Sequence, residues 1–224
     1  MANSRPRQTG DAKEALIFAT ERLIAERGPN DVTIKDIIEA AGARNSSAVQ
    51  YHFQSRKNLI LETFRNRMDT IDELRLTLLD ESNLDDARDL ARALILPLAS
   101  QLVPRKEGNF YLRFAERSMR EPGAIDRDKL RDLRQGWQQT VEGIRALVKE
   151  RTPPSLIDFR IQLVETIVIS GGALIETLLQ AGQIPRASQD ANLIALVDVC
   201  EAAIRSVPSA ESLSAIELHE SKVA

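Results

Sequence analysis

Residues 33–59 read TIKDIIEAAGARNSSAVQYHFQSRKNL, and the fold of the whole chain turns on that stretch. Thr33 stands where a helix N-cap belongs, with Asp36 at the reciprocal position three residues on. Ile34, Ile37 and Ile38 fall on one inward face of the short helix that follows. Gly42 ends that helix, because a glycine just past the last turn takes the left-handed conformation without steric cost. Asn45 or Ser46 caps a second helix through Tyr51, with Val49 and Phe53 turned inside. Ser55 opens a long one carrying Ile60, Phe64, Met68 and Ile71 in register. Two short helices about a glycine turn, the second starting in small polar residues, form a helix-turn-helix, an arrangement that offers side chains to the edges of DNA bases.

Working outward, Asp11 and Glu14 make a capping pair for a first helix, with Leu16, Ala19, Leu23 and Ile24 on one face and a stop at Gly28-Pro29-Asn30. Residues 1–10 read as a slightly basic, disordered arm whose Arg5 and Arg7 suit a minor groove. Downstream, periodicity predicts helices over 85–103 (kinked at Pro97), 109–120, 126–151, 155–181 and 188–207, then a loose tail over 208–224. No stretch alternates with the period of a strand. The expected fold is all-α: a three-helix helix-turn-helix domain over 11–66, joined by a long fourth helix to a helical ligand-binding and dimerisation domain over 67–207.

Composition agrees. Of 224 residues 43% are hydrophobic and only 4% aromatic, with Ala, Leu and Ile abundant, which favours helix packing. No apolar run is expected to approach the roughly 20 residues of a membrane span, and the N-terminus has no apolar core of a signal peptide. A single cysteine excludes an intrachain disulfide and fits a reducing cytoplasm. Through Arg67, eleven basic residues face eight acidic ones, so this part carries +3 against −3 for the whole chain, leaving −6 for the remainder. A mildly basic head on an acidic body places the polyanion-binding end at the N-terminus.

The last two helices differ from the others in being apolar on two sides. Leu163, Ile167, Gly171, Leu174 and Leu178 make one stripe, widened by Val164, Val168, Ile175 and Leu179. Leu193, Val197, Cys200, Ile204 and Val207 make another. A helix apolar on two sides needs two partners, and the simpler second partner is another copy of the chain. The expected dimer face is Leu163, Ile167, Gly171, Leu174, Leu178, Leu193, Val197 and Ile204, with the Gly171-Gly172 pair allowing close approach across it.

The residues expected to meet DNA are Thr33, Arg44, Asn45, Ser46, Ser47, Gln50, Tyr51, His52, Arg56 and Lys57. Gln pairs in bidentate fashion with adenine, and Ser meets base edges or phosphate. Tyr51 and His52 donate to phosphate oxygens, Arg44, Arg56 and Lys57 add charge-assisted contacts, and the N–H groups opening the helix at Ser55 face an anion. In the body, Phe110, Tyr111, Phe114, Met119 and Trp137 gather the scarce aromatics and are candidates for lining an apolar ligand pocket, against ordinary core filling. Arg113, Arg117 and Arg120 share a helix face and either pair with Glu116 and Glu121 or meet an acidic ligand. Cys200 reads as an inert buried thiol.

On these residues the chain resembles the TetR family of bacterial transcriptional regulators. Ala41-Gly42, Val49-Gln50-Tyr51-His52-Phe53 and Ser55-Arg56 correspond to the family's motif. The turn Ala43-Arg44-Asn45 is about one residue longer than the common one, Gln50 stands where a tyrosine usually contacts phosphate, and Arg56 replaces the usual lysine. The resemblance implies a homodimeric repressor on a pseudo-palindromic operator, with heads about 34–36 Å apart for successive major grooves. It also implies release by a small, mostly apolar molecule acting through the long fourth helix. It implies no cofactor, metal or membrane partner.

Two other classes compete. With two histidines, one of them in the tail, and one cysteine, the sequence offers no metal cluster, no Cys/His pair and no phosphate loop, which argues against an enzyme. A helical protein-interaction module that has lost DNA binding is the alternative, and steep salt dependence separates a DNA binder from it.

Overall fold

The structure, a computed structural model, describes residues 9–43 and 47–223. Among these residues every regular element is a helix. The head comprises α1 (Thr9–Arg27), α2 (Ile34–Ala40) and α3 (Ser47–Phe53), and α4 (Arg56–Asp80) runs from the head into the body. The body comprises α5 (Ala87–Ile95), α6 (Tyr111–Arg120), α7 (Arg127–Asp132), α8 (Gln135–Lys149), α9 (Pro154–Gln180) and α10 (Gln189–Arg205), followed by α11 (Ala210–Val223).

The local signals for the head perform as their chemistry dictates. Thr33 Oγ1 accepts from Asp36 N while Asp36 Oδ2 accepts from Thr33 N at 2.8 Å, a reciprocal capping box. Gly42 adopts φ +64°, and Ala43 N closes the helix end on Ile38 O. Leu16, Leu23, Ile24, Ile37, Val49, Phe53, Ile60 and Phe64 are all buried in one continuous core. Ile34 departs from the expected inward set and is exposed. The first helix also begins earlier than Asp11, at Thr9.

The body departs from local expectation in three places. The segment over 85–103 is an α-helix to Ile95 and then a 3-10 helix over Leu96–Gln101, because Pro97 supplies no N–H to continue the α ladder. The stretch over 126–151 is two helices, α7 and α8, broken at Leu133-Arg134. The break has a tertiary cause: Asp72 of α4 accepts from Gly136 N (2.8 Å) and Trp137 N (3.1 Å), so a carboxylate from another helix caps α8. Third, the tail expected to be loose is helical from Ala210 to Val223.

Pro154–Gln180 corrects another expectation. By length and hydropathy this helix could cross a membrane, although no apolar run of that size was anticipated. In the fold it packs against α6, α8 and α10, and it carries buried Glu176. Glu176 accepts from Leu112 N (3.0 Å) and Arg113 N (3.1 Å) and pairs with the Arg113 guanidinium at 3.1 Å, fixing α6 on α9. Burial raises its pKa above the ordinary carboxylate value against these lowering contacts.

Candidate nucleic-acid interface

The second helix of the helix-turn-helix, α3, has seven residues and is pinned from behind. Val49 and Phe53 lock α3 onto the core, which leaves Gln50 and Tyr51 exposed on the opposite side, Tyr51 at 78%. His52 is half-buried and stands edge-on to the Tyr51 ring, 4.9 Å between centroids, which steadies an otherwise free tyrosine. Gln54 then takes φ +65°, and its N–H reaches Gln50 O at 3.1 Å. A non-glycine residue in the left-handed region makes the sharp corner into α4. Its sequence gives no turn signal of the Gly, Asn or Asp kind, so this corner escaped the sequence reading.

Ser55 caps α4, its hydroxyl accepting from Asn58 N at 3.1 Å. Lys57 on that first turn is exposed, beside backbone N–H groups that have no partner within the helix. This face therefore exposes Gln50, Tyr51 and Lys57 beside the start of α4.

Other expected contacts are placed differently. Arg56 turns back to donate to the carbonyl of Pro29, bracing the α1–α2 turn; it is half-buried, and burial lowers its pKa from the ordinary arginine value. The Thr33 hydroxyl is engaged with Asp36, to which it donates at 2.6 Å. Arg44, Asn45 and Ser46 lie outside the described residues, as does the arm with Arg5 and Arg7, and Ser47 is the first residue of α3. Arg67, counted in the basic head, is directed inward and pairs at 3.1 Å with buried Glu21. Burial raises the pKa of Glu21, and Arg67 opposes that.

The aromatics of the body separate into two groups. Tyr111, Met119 and Trp137 line a small cavity of about 40 Å³ among α4, α6 and α8, together with Phe64, Met68 and Ile71. Phe114 is instead packed in the core, 4.7 Å from the Phe64 ring, and Phe110 meets Phe18 edge-to-face. Both were candidates for the pocket lining, and of the two readings core filling is the one their rings follow, joining helices. Of the three arginines on α6, Arg120 pairs with Glu116 at 2.9 Å, Arg113 with Glu176, and Arg117 donates to Glu26 O at 3.2 Å.

The expected dimer face also divides. Leu193, Val197 and Ile204 are buried within the chain, where α10 packs on α5, α8 and α9, and Cys200 lies with them. Burial pushes the Cys200 thiol up to about 12. Gly171 serves an intrachain contact: a Cβ there would stand 2.4 Å from Leu196 Cδ1, so the glycine sets how closely α9 and α10 approach. Leu163 and Leu174 are exposed, and Ile167 and Leu178 are half-buried. Phe159 and Val199, absent from the expected set, join the exposed apolar face at 59% and 56%.

Comparison with known proteins supports the motif reading. Residues 16–63 match the model of bacterial regulatory proteins of the tetR family. No curated protein matches the chain. Among solved structures, a TetR family transcription regulator from Marinobacter aquaeolei VT8 is 16% identical with a TM-score of 0.59, covering 87% of this chain and 95% of its own. The fatty acid degradation regulator FadR from Bacillus halodurans is 14% identical with a TM-score of 0.54, covering 87% and 99%. LfrR from Mycobacterium smegmatis, in complex with proflavine, is 18% identical with a TM-score of 0.50, covering 89% and 97%. The N-terminal domain is thus that of the tetR family, a family of non-enzymatic transcription regulators, and the whole chain has the fold these regulators adopt.

Proposed function

We propose that this chain with a TetR-family head is a cytoplasmic, homodimeric repressor that binds a pseudo-palindromic operator and is released by a small molecule in its helical body. The observation that carries the reading is the exposed set of Gln50, Tyr51 and Lys57 on a helix fixed by Val49 and Phe53. Gln50 reads a base edge, whereas Tyr51, Lys57 and the N-terminus of α4 hold phosphates. The head spans 11–66 and the body 67–207.

The exposed apolar residues Phe159, Leu163, Leu174 and Val199 on α9 and α10 support dimerisation, since a patch of this kind on a folded body is normally covered by a partner. Ile167 and Leu178 border it. Ligand release has a mechanical route: α6 lines the small cavity and also packs on α1 of the head. A molecule that binds better with α6 displaced shifts the population of head positions by its differential affinity. That the LfrR relative is in complex with proflavine supports a body that accepts small molecules.

The experiment is selection of genomic fragments by the purified protein, followed by gel-shift titration of the enriched site across salt concentrations. A palindromic site, bound with steep salt dependence and lost in Tyr51→Ala/Lys57→Ala, is the expected result. An intact dimer that enriches no site, with or without added small molecules, overturns the reading in favour of a protein-interaction module.

A further inference from the structure

Two adjoining spaces in the body share a thin wall. The inner cavity of about 40 Å³ has room for water but not for an organic molecule. Between α6 and α9 lies an open cleft of about 290 Å³, bordered by Glu116, Arg120, Arg127, Glu165 and Ser170. Met119 and Ile169 line both spaces. Methionine has three rotatable bonds and no branch, so a change of Met119 rotamer opens one space into the other. Joined, they enter the range of roughly 300–1,000 Å³ that holds small ligands.

The polar groups of the inner cavity differ in how far they are committed. The Arg75 guanidinium donates to Ala93 O (3.0 Å), Asp72 Oδ1 (2.8 Å) and Leu94 O (3.4 Å). Asp72 in turn accepts from Arg75 and from the first turn of α8, so three of the five guanidinium N–H groups and both carboxylate oxygens are already engaged within the protein. Arg134 is different: its guanidinium makes no hydrogen bond among the described residues, its Nε is buried without a partner, and it lies over the Trp137 ring at 5.4 Å. The hydroxyl of Tyr111, a residue only 3% exposed, is also buried without a partner. Burial raises the pKa of that phenol, so it stays a neutral donor. Glu165, the acid facing Arg134, has one carboxylate oxygen engaged by Trp137 Nε1 at 2.9 Å.

Buried donors without acceptors are rare in folded proteins and call for an explanation. Two of them on one cavity, one a cation, call for an anionic acceptor, while Phe64, Met68, Ile71 and Met119 around it call for an apolar body. We infer that the effector is a small aromatic or unsaturated carboxylic acid, its carboxylate held by Arg134 and the Tyr111 hydroxyl and its ring set among Phe64, Met68 and Ile71 behind the Met119 partition. This rests on the effector reading above and narrows its chemistry from apolar to anionic.

The test titrates the full-length protein calorimetrically with benzoate, 4-hydroxybenzoate and cinnamate, against benzamide, cinnamamide and benzylamine. At least one acid binds, its amide binds about tenfold or more weaker, and the amine does not bind. Arg134→Gln and Tyr111→Phe each weaken acid binding by roughly 10- to 100-fold, the range for a hydrogen bond to a charged group. Tyr111→Phe removes only an unpartnered hydroxyl, so its fold is kept, and Arg145→Gln, at an arginine that lines neither space and pairs with Asp158 at 2.6 Å, leaves affinity within about twofold. Equal binding of acid and amide, unchanged affinity in both variants, or no acid bound at millimolar concentration overturns the inference and leaves the two donors to water. A parallel gel shift separates the readings. Acid binding without loss of operator binding sinks the effector role alone, and release by neutral molecules only sinks the acid inference alone.

Discussion

Phe18 of α1 meets Phe110, the residue before α6, edge-to-face with 5.9 Å between ring centroids. The head is therefore fastened to the body through α1 and α6 as well as continuing into it along α4. Arg117 adds a second tie to the end of α1 through Glu26 O. Phe18→Ala removes an aromatic pair and buried area together, and is expected to cost about 1–2 kcal/mol. It should also loosen the response of operator binding to ligand. Thermal unfolding and gel shifts with and without ligand check both, and an unchanged ligand response would remove α1–α6 packing from the switch.

Asp72 holds three groups at once: Arg75, Gly136 N and Trp137 N. Asp72→Ala leaves a buried, unpaired Arg75 and an uncapped α8, an expected loss of about 3–5 kcal/mol. Asp72→Ala/Arg75→Met removes the stranded charge and should recover part of that loss in denaturant unfolding. A double variant no more stable than the single one would mean that the α8 cap, not the ion pair, carries the energy.

Within the DNA contacts, positioning and reading should separate. Lys57→Ala is expected to weaken all sites alike and lower the salt slope by about one. Gln50→Ala should instead relax preference at one base pair, by about 1–3 kcal/mol of discrimination. Binding to a panel of single-base operator variants at several salt concentrations distinguishes the two patterns.

A charge in the exposed apolar face should leave the fold intact and divide the proposed dimer. Leu174, 57% exposed, has space around it in the single chain, so Leu174→Glu is expected to yield a folded monomer. Leu193→Glu, at a buried position, should unfold the body instead. Light scattering with circular dichroism resolves these outcomes, and a Leu174→Glu dimer would move the interface elsewhere.

Three carboxylates set an acid limit. Asp36 is held below its ordinary value by Thr33, Asp86 by the N–H groups of Asp89 and Arg88 and by Arg205, and Glu201 by Arg88 and Arg205. Each binds its proton less readily folded than unfolded. Their stabilisation is therefore complete above the ordinary values of 3.8 and 4.5 and is lost as pH falls through the depressed ones. Buried Glu21 and Glu176, with raised pKa values, act in the opposite sense, their contribution falling as pH rises above the ordinary value of 4.5. Chemical unfolding between neutral pH and pH 3 should show the acid loss, with a shallower decline in Asp86→Asn.

Much of the head is legible in the sequence because its signals are short-range. A cap and its partner three residues on, a glycine past a helix end, and apolar residues at helical spacing sufficed for Thr33–Asp36, Gly42, Val49 and Phe53. Arg56 was misread because its partner, the Pro29 carbonyl, lies 27 residues away in the chain. Gln54 was missed because its left-handed backbone is imposed by its neighbours and not by its own chemistry.

By itself the sequence determined an all-α fold with a helix-turn-helix at one end, since caps, turns and periodicity act between residues a few positions apart. Only the tertiary structure decided where the long charged stretch breaks, because the carboxylate capping α8 comes from Asp72 on another helix. It also decided which side of each doubly apolar helix faces inward, burying Val197 and leaving Val199 outside. The physical reason is common to both: a stripe or a cap states what a residue needs, while the element that meets the need is chosen by packing across the whole body.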